Sequence, residues 1–98
     1  MAKKIIWTEK ATIERKEILE YWVERNKSKT FSLKLNRLFV ETLRLLADFP
    51  NIGRKTDLEN VRVKIVKDYL LFYEIKNSEL IVLSIWDLRR DENKLKIK

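Results

Sequence analysis

Arginines and lysines at short, repeated spacing are the side chains of this sequence best suited to chemistry. Arg62 and Lys64 stand two apart in Val61-Arg62-Val63-Lys64-Ile65-Val66. In an extended run they leave the same face, about 7 Å apart. Arg54-Lys55 lies just upstream, and Arg89-Arg90 closes the run Ile85-Trp86-Asp87-Leu88-Arg89-Arg90. Gathered into one cationic patch, these residues would hold phosphates or neutralise charge developing on a scissile phosphate. A solvated strand face has the same composition, because exposed charges mostly serve no specific contact. Trp86 followed by two arginines suits recognition of RNA or of a protein. Asp87 is equally able to pair with Arg89 or Arg62 in a structural role.

Two further groups carry less. Glu74-Ile75-Lys76, with Asp57 upstream, has the acidic-x-lysine form used by metal-dependent nucleases, but in the wrong topology and in a pattern that chance supplies freely. Tyr69 and Tyr73 are candidate acid–base groups, yet they alternate with Leu71 and Ile75 as core residues do. The sequence has no histidine and no cysteine. Acid–base work near neutrality must therefore come from Lys, Arg, Tyr, Asp or Glu. Disulfides and cysteine-ligated metals are excluded, and nothing calls for a cofactor. The absence of cysteine fits a reducing cytoplasm. No signal peptide or membrane span is expected, since Ile5-Ile6-Trp7 is too short for either. The net charge of +7 favours a partner of opposite sign: nucleic acid, ribosome or an acidic protein segment.

The elements that position these residues divide at one place. The only proline and the only glycine lie three apart in Phe49-Pro50-Asn51-Ile52-Gly53-Arg54. Proline ends a helix, and glycine is expected to supply a positive-φ corner. Before this hinge the pattern is helical. Lys4-Ile5-Ile6-Trp7 has strand composition and Thr8 is a credible N-cap. Ala11, Ile18, Leu19 and Trp22 share one helical face, with Ile13 on the other side. The polar connection through Ser28 and Thr30 leads to a second helix, with either residue available as its cap. Its expected inner stripe is Phe31, Leu35, Leu38, Leu45, Leu46 and Phe49, with Thr42 in the remaining slot and with Leu33 and Val40 outside.

After the hinge, residues 61–66 read as a half-buried strand with a basic face, and Lys67-Asp68 as a turn. Tyr69 to Ile75 is apolar on both faces and belongs near the centre of a sheet. Lys76-Asn77-Ser78-Glu79 turns again, and Leu80 to Trp86 completes a meander. From Asp87 onward the chain is mostly charged and is expected to fray. The order β-α-α-β-β-β predicts a single two-layer α+β domain over residues 1–98, with a helical hairpin packed on a mostly antiparallel sheet.

These pieces, in this order, resemble the RelE/ParE superfamily of bacterial type II toxins. The resemblance rests on Trp7-Thr8 with Ala11, Leu46-x-x-Phe49-Pro50-x-x-Gly53-Arg54, Val61-Arg62, Tyr69-x-x-x-Tyr73, and Ile85-Trp86-Asp87-x-Arg89-Arg90 with Leu95. It implies the compact toxin fold and a cognate antitoxin that wraps and silences the protein in a toxin–antitoxin hetero-oligomer. It also implies growth inhibition and a part in plasmid stabilization. RelE-like members cut messenger RNA on the ribosome with basic residues and a C-terminal tyrosine or a histidine. Arg62 and Lys64 match two of those basic positions, with Arg89 and Arg90 as further candidates. Leu70 replaces an expected arginine, and Lys94-Leu95 stand where the tyrosine falls. ParE-like members poison DNA gyrase without a catalytic set, and the hinge and the double-arginine ending are closer to that branch. The preferred reading is a gyrase-directed toxin whose target or antitoxin meets Arg54, Arg62, Lys64, Trp86, Asp87, Arg89 and Arg90. The alternative is a ribosome-dependent ribonuclease.

Overall fold

The computed structural model describes residues 3–89. Arg90 and the charged tail with Lys94 and Leu95, together with its expected fraying, lie outside the described residues. Along the chain come β1 (Lys4–Trp7), α1 (Glu9–Asn26), α2 (Thr30–Asp48), β2 (Arg54–Lys55), β3 (Val61–Val66), β4 (Tyr69–Lys76) and β5 (Glu79–Asp87). The strands make one five-stranded sheet in the order β1-β5-β4-β3-β2. β1 is parallel to β5 and all other pairings are antiparallel. The α+β architecture read from the sequence therefore holds, with one addition. β2 is two charged residues without strand periodicity, and only its pairing with β3 makes it a strand. No helix among the described residues is long and apolar enough to cross a membrane.

Thr8 converts strand into helix. Its backbone is extended, its Oγ1 accepts the Ala11 N–H at 3.1 Å, and its hydroxyl donates to the Val82 carbonyl at 2.9 Å. One side chain thus caps α1 and anchors that cap to β5. Ala11 is buried, and Ile18, Leu19 and Trp22 pack on the main core as their spacing predicts. The start of α2 differs from expectation. Lys29 holds the N-cap position without a side-chain bond, while Ser28 Oγ accepts the Thr30 N–H at 3.2 Å.

The inner stripe of α2 keeps Phe31, Leu35, Leu38 and Leu46 of the expected one but takes in Phe39, Leu43 and Ala47 in place of Leu45 and Phe49. Leu35, Phe39, Leu43, Leu46 and Ala47 are buried, whereas Leu45 and Phe49 are 43% and 58% exposed. The helix carries two overlapping apolar stripes at helical spacing, and periodicity alone does not choose between them. Docking chooses: Phe39 meets Tyr69 edge-on, with centroids 5.9 Å apart.

The sheet has apolar residues on both faces. Tyr69, Leu71, Tyr73, Leu80, Val82 and Ile85 join the helices in the main core. Val61, Val63, Phe72, Leu83 and Trp86 form a second cluster on the other face. The alternation of β3 is therefore real, but its buried valines face away from the hairpin and its basic residues share the hairpin's side. Ile65 is 52% exposed, and Val66 instead enters the main core. At the β4–β5 turn, Asn77 and Ser78 both take positive φ, 52° and 65°, the backbone of a type I′ hairpin.

Between α2 and β2 the chain crosses the sheet from one edge to the other. The Ala47 carbonyl accepts the Lys3 N–H beside β1, and Arg54 pairs with Val63 on β3. The hinge spans the interval.

Candidate functional site

The hinge passes directly over two side chains of the sheet. Tyr73 is fully buried, and its hydroxyl donates to the Pro50 carbonyl at 2.6 Å while accepting the Gly53 N–H at 3.1 Å. A Cβ on Gly53 would run into that hydroxyl and come within 2.8 and 2.9 Å of two ring carbons. Glycine is required here for close approach. The expected left-handed corner is absent, because the φ of Gly53 is not positive. Burial raises the pKa of Tyr73, opposed by the Gly53 N–H and the Arg62 charge.

Arg62 lies opposite Tyr73 in the ladder. Its Nη1 donates to the Gly53 carbonyl at 2.6 Å and to the Asn51 carbonyl at 3.3 Å. Lys55 is Arg62's partner across β2 and β3, so the two cations share one side. They line a pocket of about 410 Å³ together with Asn51, Glu59, Tyr73 and Ile75. Arg54 is exposed and lies in register with Val63, on the opposite face. Lys64, half-buried, follows Arg62 on the hairpin's side. Among the described residues none of these four cations makes an ion pair.

Arg89 belongs to another place. Asp87 is opposite Tyr69, and Tyr69 is opposite Val66, four residues along β3 from Arg62 or roughly 13 Å. Arg89 Nε and Nη2 donate to Asp87 Oδ1 and Oδ2 at 2.9 and 2.7 Å. Its guanidinium stands 5.3 Å from the Trp22 ring centroid and 5.9 Å from that of Tyr21. The bonds to Asp87 drive its pKa further up. Beneath, Trp22 Nε1 donates to the Tyr69 hydroxyl at 2.7 Å. Burial again raises the tyrosine's pKa, ahead of the smaller effect of Asp87.

The single patch expected from the sequence is therefore divided. Arg54, Arg62 and Lys64 gather with Lys55 at the hinge edge. Asp87 and Arg89 sit at the far end of the sheet, where Asp87 pairs with Arg89 and leaves Arg62 alone. Trp86 is 7% exposed within the outer cluster, so it is packing rather than a surface anchor. Arg90 lies outside the described residues.

One polar group escaped the sequence reading. β5 gains an extra residue at Leu83, because Phe72 faces Ser84 while Tyr73 faces Val82. At this bulge the fully buried Ser84 hydroxyl donates to Glu14 Oε1 at 2.9 Å and accepts from Lys10 Nζ at 3.0 Å. Glu14 also accepts the Ile85 N–H at 3.2 Å and pairs with Lys10 at 2.8 Å. A lone serine inside an apolar run was the available signal. Its partners on α1 were not inferable from that run.

A family model described as ParE toxin of type II toxin-antitoxin system, parDE, matches residues 5–92. Among solved structures, a chain described as the chromosomal ParDE TA system from P. aeruginosa is similar over 90% of this chain and 98% of its own. Its TM-score is 0.76 at 21% identity, a likeness of fold. No curated protein matches.

Proposed function

Because the chain belongs to the ParE toxin family of type II toxin–antitoxin systems, we propose that it poisons DNA gyrase by binding it and is silenced by a cognate antitoxin. The observation that supports binding over RNA cleavage is the state of the two strand tyrosines. Tyr69 and Tyr73 are 2% and 0% exposed. Their hydroxyls are engaged by Trp22, Pro50 and Gly53, and burial holds their protons on. The remaining tyrosine, Tyr21, meets Trp22 edge-on at the end of the sheet away from Arg62. With no histidine in the sequence and both strand tyrosines engaged, no histidine or free tyrosine stands beside Arg62 and Lys64 for transfer chemistry. A poison that acts by occupancy needs only a complementary surface, and the exposed Arg54 and Lys55 provide one of positive sign.

The antitoxin is read as a protein with an acidic segment that folds on binding. The net charge of +7 and the exposed Leu45, Phe49 and Ile52 suit such a segment. A cytoplasmic location fits the absence of cysteine. The decisive assay incubates purified protein with supercoiled plasmid, with and without gyrase. Cleaved DNA is expected only when gyrase is present. Gyrase-independent growth arrest with cuts in translated messages at the ribosomal A site would replace this reading with the ribonuclease.

A further inference from the structure

We propose that the hinge pocket is a carboxylate-binding site, in which Arg62 and Lys55 receive a Glu or Asp side chain from a peptide segment of a protein partner. The inference rests on the toxin reading only in that a partner protein supplies the segment.

Arg62 is oriented but not neutralised. Its Nη1 is fixed by the carbonyls of Gly53 and Asn51, while among the described residues its Nε and Nη2 make no hydrogen bond and meet no carboxylate. That open edge is the one by which Arg89 grips Asp87 in this same protein. It is the edge that binds a carboxylate through two parallel bonds. A half-buried cation held only by neutral carbonyls gains most from an added anion, because water screens it less than an exposed one. Lys55, directly across the strands, adds a second positive charge to the same side.

The rest of the lining selects the anion. Leu58 and Ile75 line the pocket, and Phe49 and Ile52 are 58% and 46% exposed on the same hinge. An acidic side chain with apolar neighbours fits this mixture, whereas a sugar–phosphate chain would leave the apolar groups against water. The volume of about 410 Å³ accommodates such a side chain and part of its flanking residues.

The test titrates isotope-labelled full-length protein with acetyl-Leu-Glu-Phe-amide, followed by NMR, with the matched Gln peptide and a phosphate-bearing dinucleotide in parallel. The Glu peptide is expected to move the amides of Gly53, Lys55 and Arg62 and the Arg62 Nε–H, and the Gln peptide to bind roughly tenfold more weakly. Arg62→Lys keeps the charge but loses the two-bond edge, and should cost about tenfold in affinity. Lys55→Gln, at an exposed position that leaves the hinge intact, should cost about threefold. Equal binding of the Glu and Gln peptides, or no loss in Lys55→Gln, would overturn the proposal. Tighter binding of the dinucleotide would reassign the pocket to nucleic acid. Because no gyrase is present, failure here is separable from failure of the gyrase assay.

Discussion

At the hinge edge, Arg62 gives one nitrogen to backbone carbonyls and meets no carboxylate among the described residues. At the opposite end of the sheet, Arg89 commits Nε and Nη2 to Asp87 and lies over two aromatic rings. The two regions are built alike otherwise. Each has a buried tyrosine on β4 whose hydroxyl holds a neighbouring element, Tyr73 the hinge and Tyr69 the helix α1. The difference follows from sequence neighbourhood. Arg89 has an aspartate two residues away at a strand end, where both side chains can turn toward each other. Arg62 stands between valines that bury on the other face, so no carboxylate flanks it on its own strand and its hydrogen bonds go to the crossing backbone. Residue type therefore says that a cation is present, and its neighbours decide whether it is available to a partner.

The contrast can be broken most forcefully at Gly53. Gly53→Ala drives a methyl group into the Tyr73 ring and should destabilise the protein by about 3 kcal/mol in urea unfolding. A comparable change at an exposed residue of the Arg89 end should do far less. Tyr73→Phe leaves both the Gly53 N–H and the Pro50 carbonyl without their partner and should cost about 2 kcal/mol. Tyr69→Phe strands one donor, Trp22 Nε1, and should cost about 1 kcal/mol. If the order of these two is reversed, the hinge is not the tighter clasp.

The same pair sets a pH dependence. Both tyrosines have folded pKa values raised above the ordinary value of 10.0. The unfolded chain releases those protons first, so their stabilising effect is complete below pH about 10 and is lost as pH climbs through the folded values. Melting temperature followed from pH 8 upward should fall for the native protein, and less steeply for either Phe variant. An identical slope in all three proteins would show that the hydroxyls do not govern alkaline stability.

The smallest effect is expected at the Arg89 end. The Arg89 and Asp87 side chains are 48% and 16% exposed, so solvent screens the pair, and Asp87→Asn should cost only about 0.5 kcal/mol. That variant would make Arg89 resemble Arg62. Gain of binding to the Glu peptide at the Arg89 end would show that loss of the local carboxylate is what opens an arginine to partners.

Much of the fold was legible where the signal is local. Thr8 before Glu9 announces a capped helix, Asn77-Ser78 a turn, and the run from Leu80 to Trp86 a strand. Phe31, Leu35, Leu38 and Leu46 of the expected α2 stripe face the core, but Leu45 and Phe49 match the helical period as well as Phe39, Leu43 and Ala47 do, and only the latter are buried. β2 was not readable at all. For the site, Arg54, Arg62 and Lys64 were recognisable as cations, but Trp86 looked like a surface anchor because its alternation suits either face of a sheet.

By itself the sequence determined what short-range rules control: where helices cap and stop, which runs extend, the lack of histidine and cysteine, and the ordered residues that mark the family. Only the tertiary structure decided which stripe of α2 is inside, which side of β3 faces the hairpin, and why the sole glycine stands at position 53. Those outcomes depend on contacts between residues 20 or more apart in the chain, as between Gly53 and Tyr73. Close packing at that distance in sequence is set by the docking of whole elements, which no local pattern encodes.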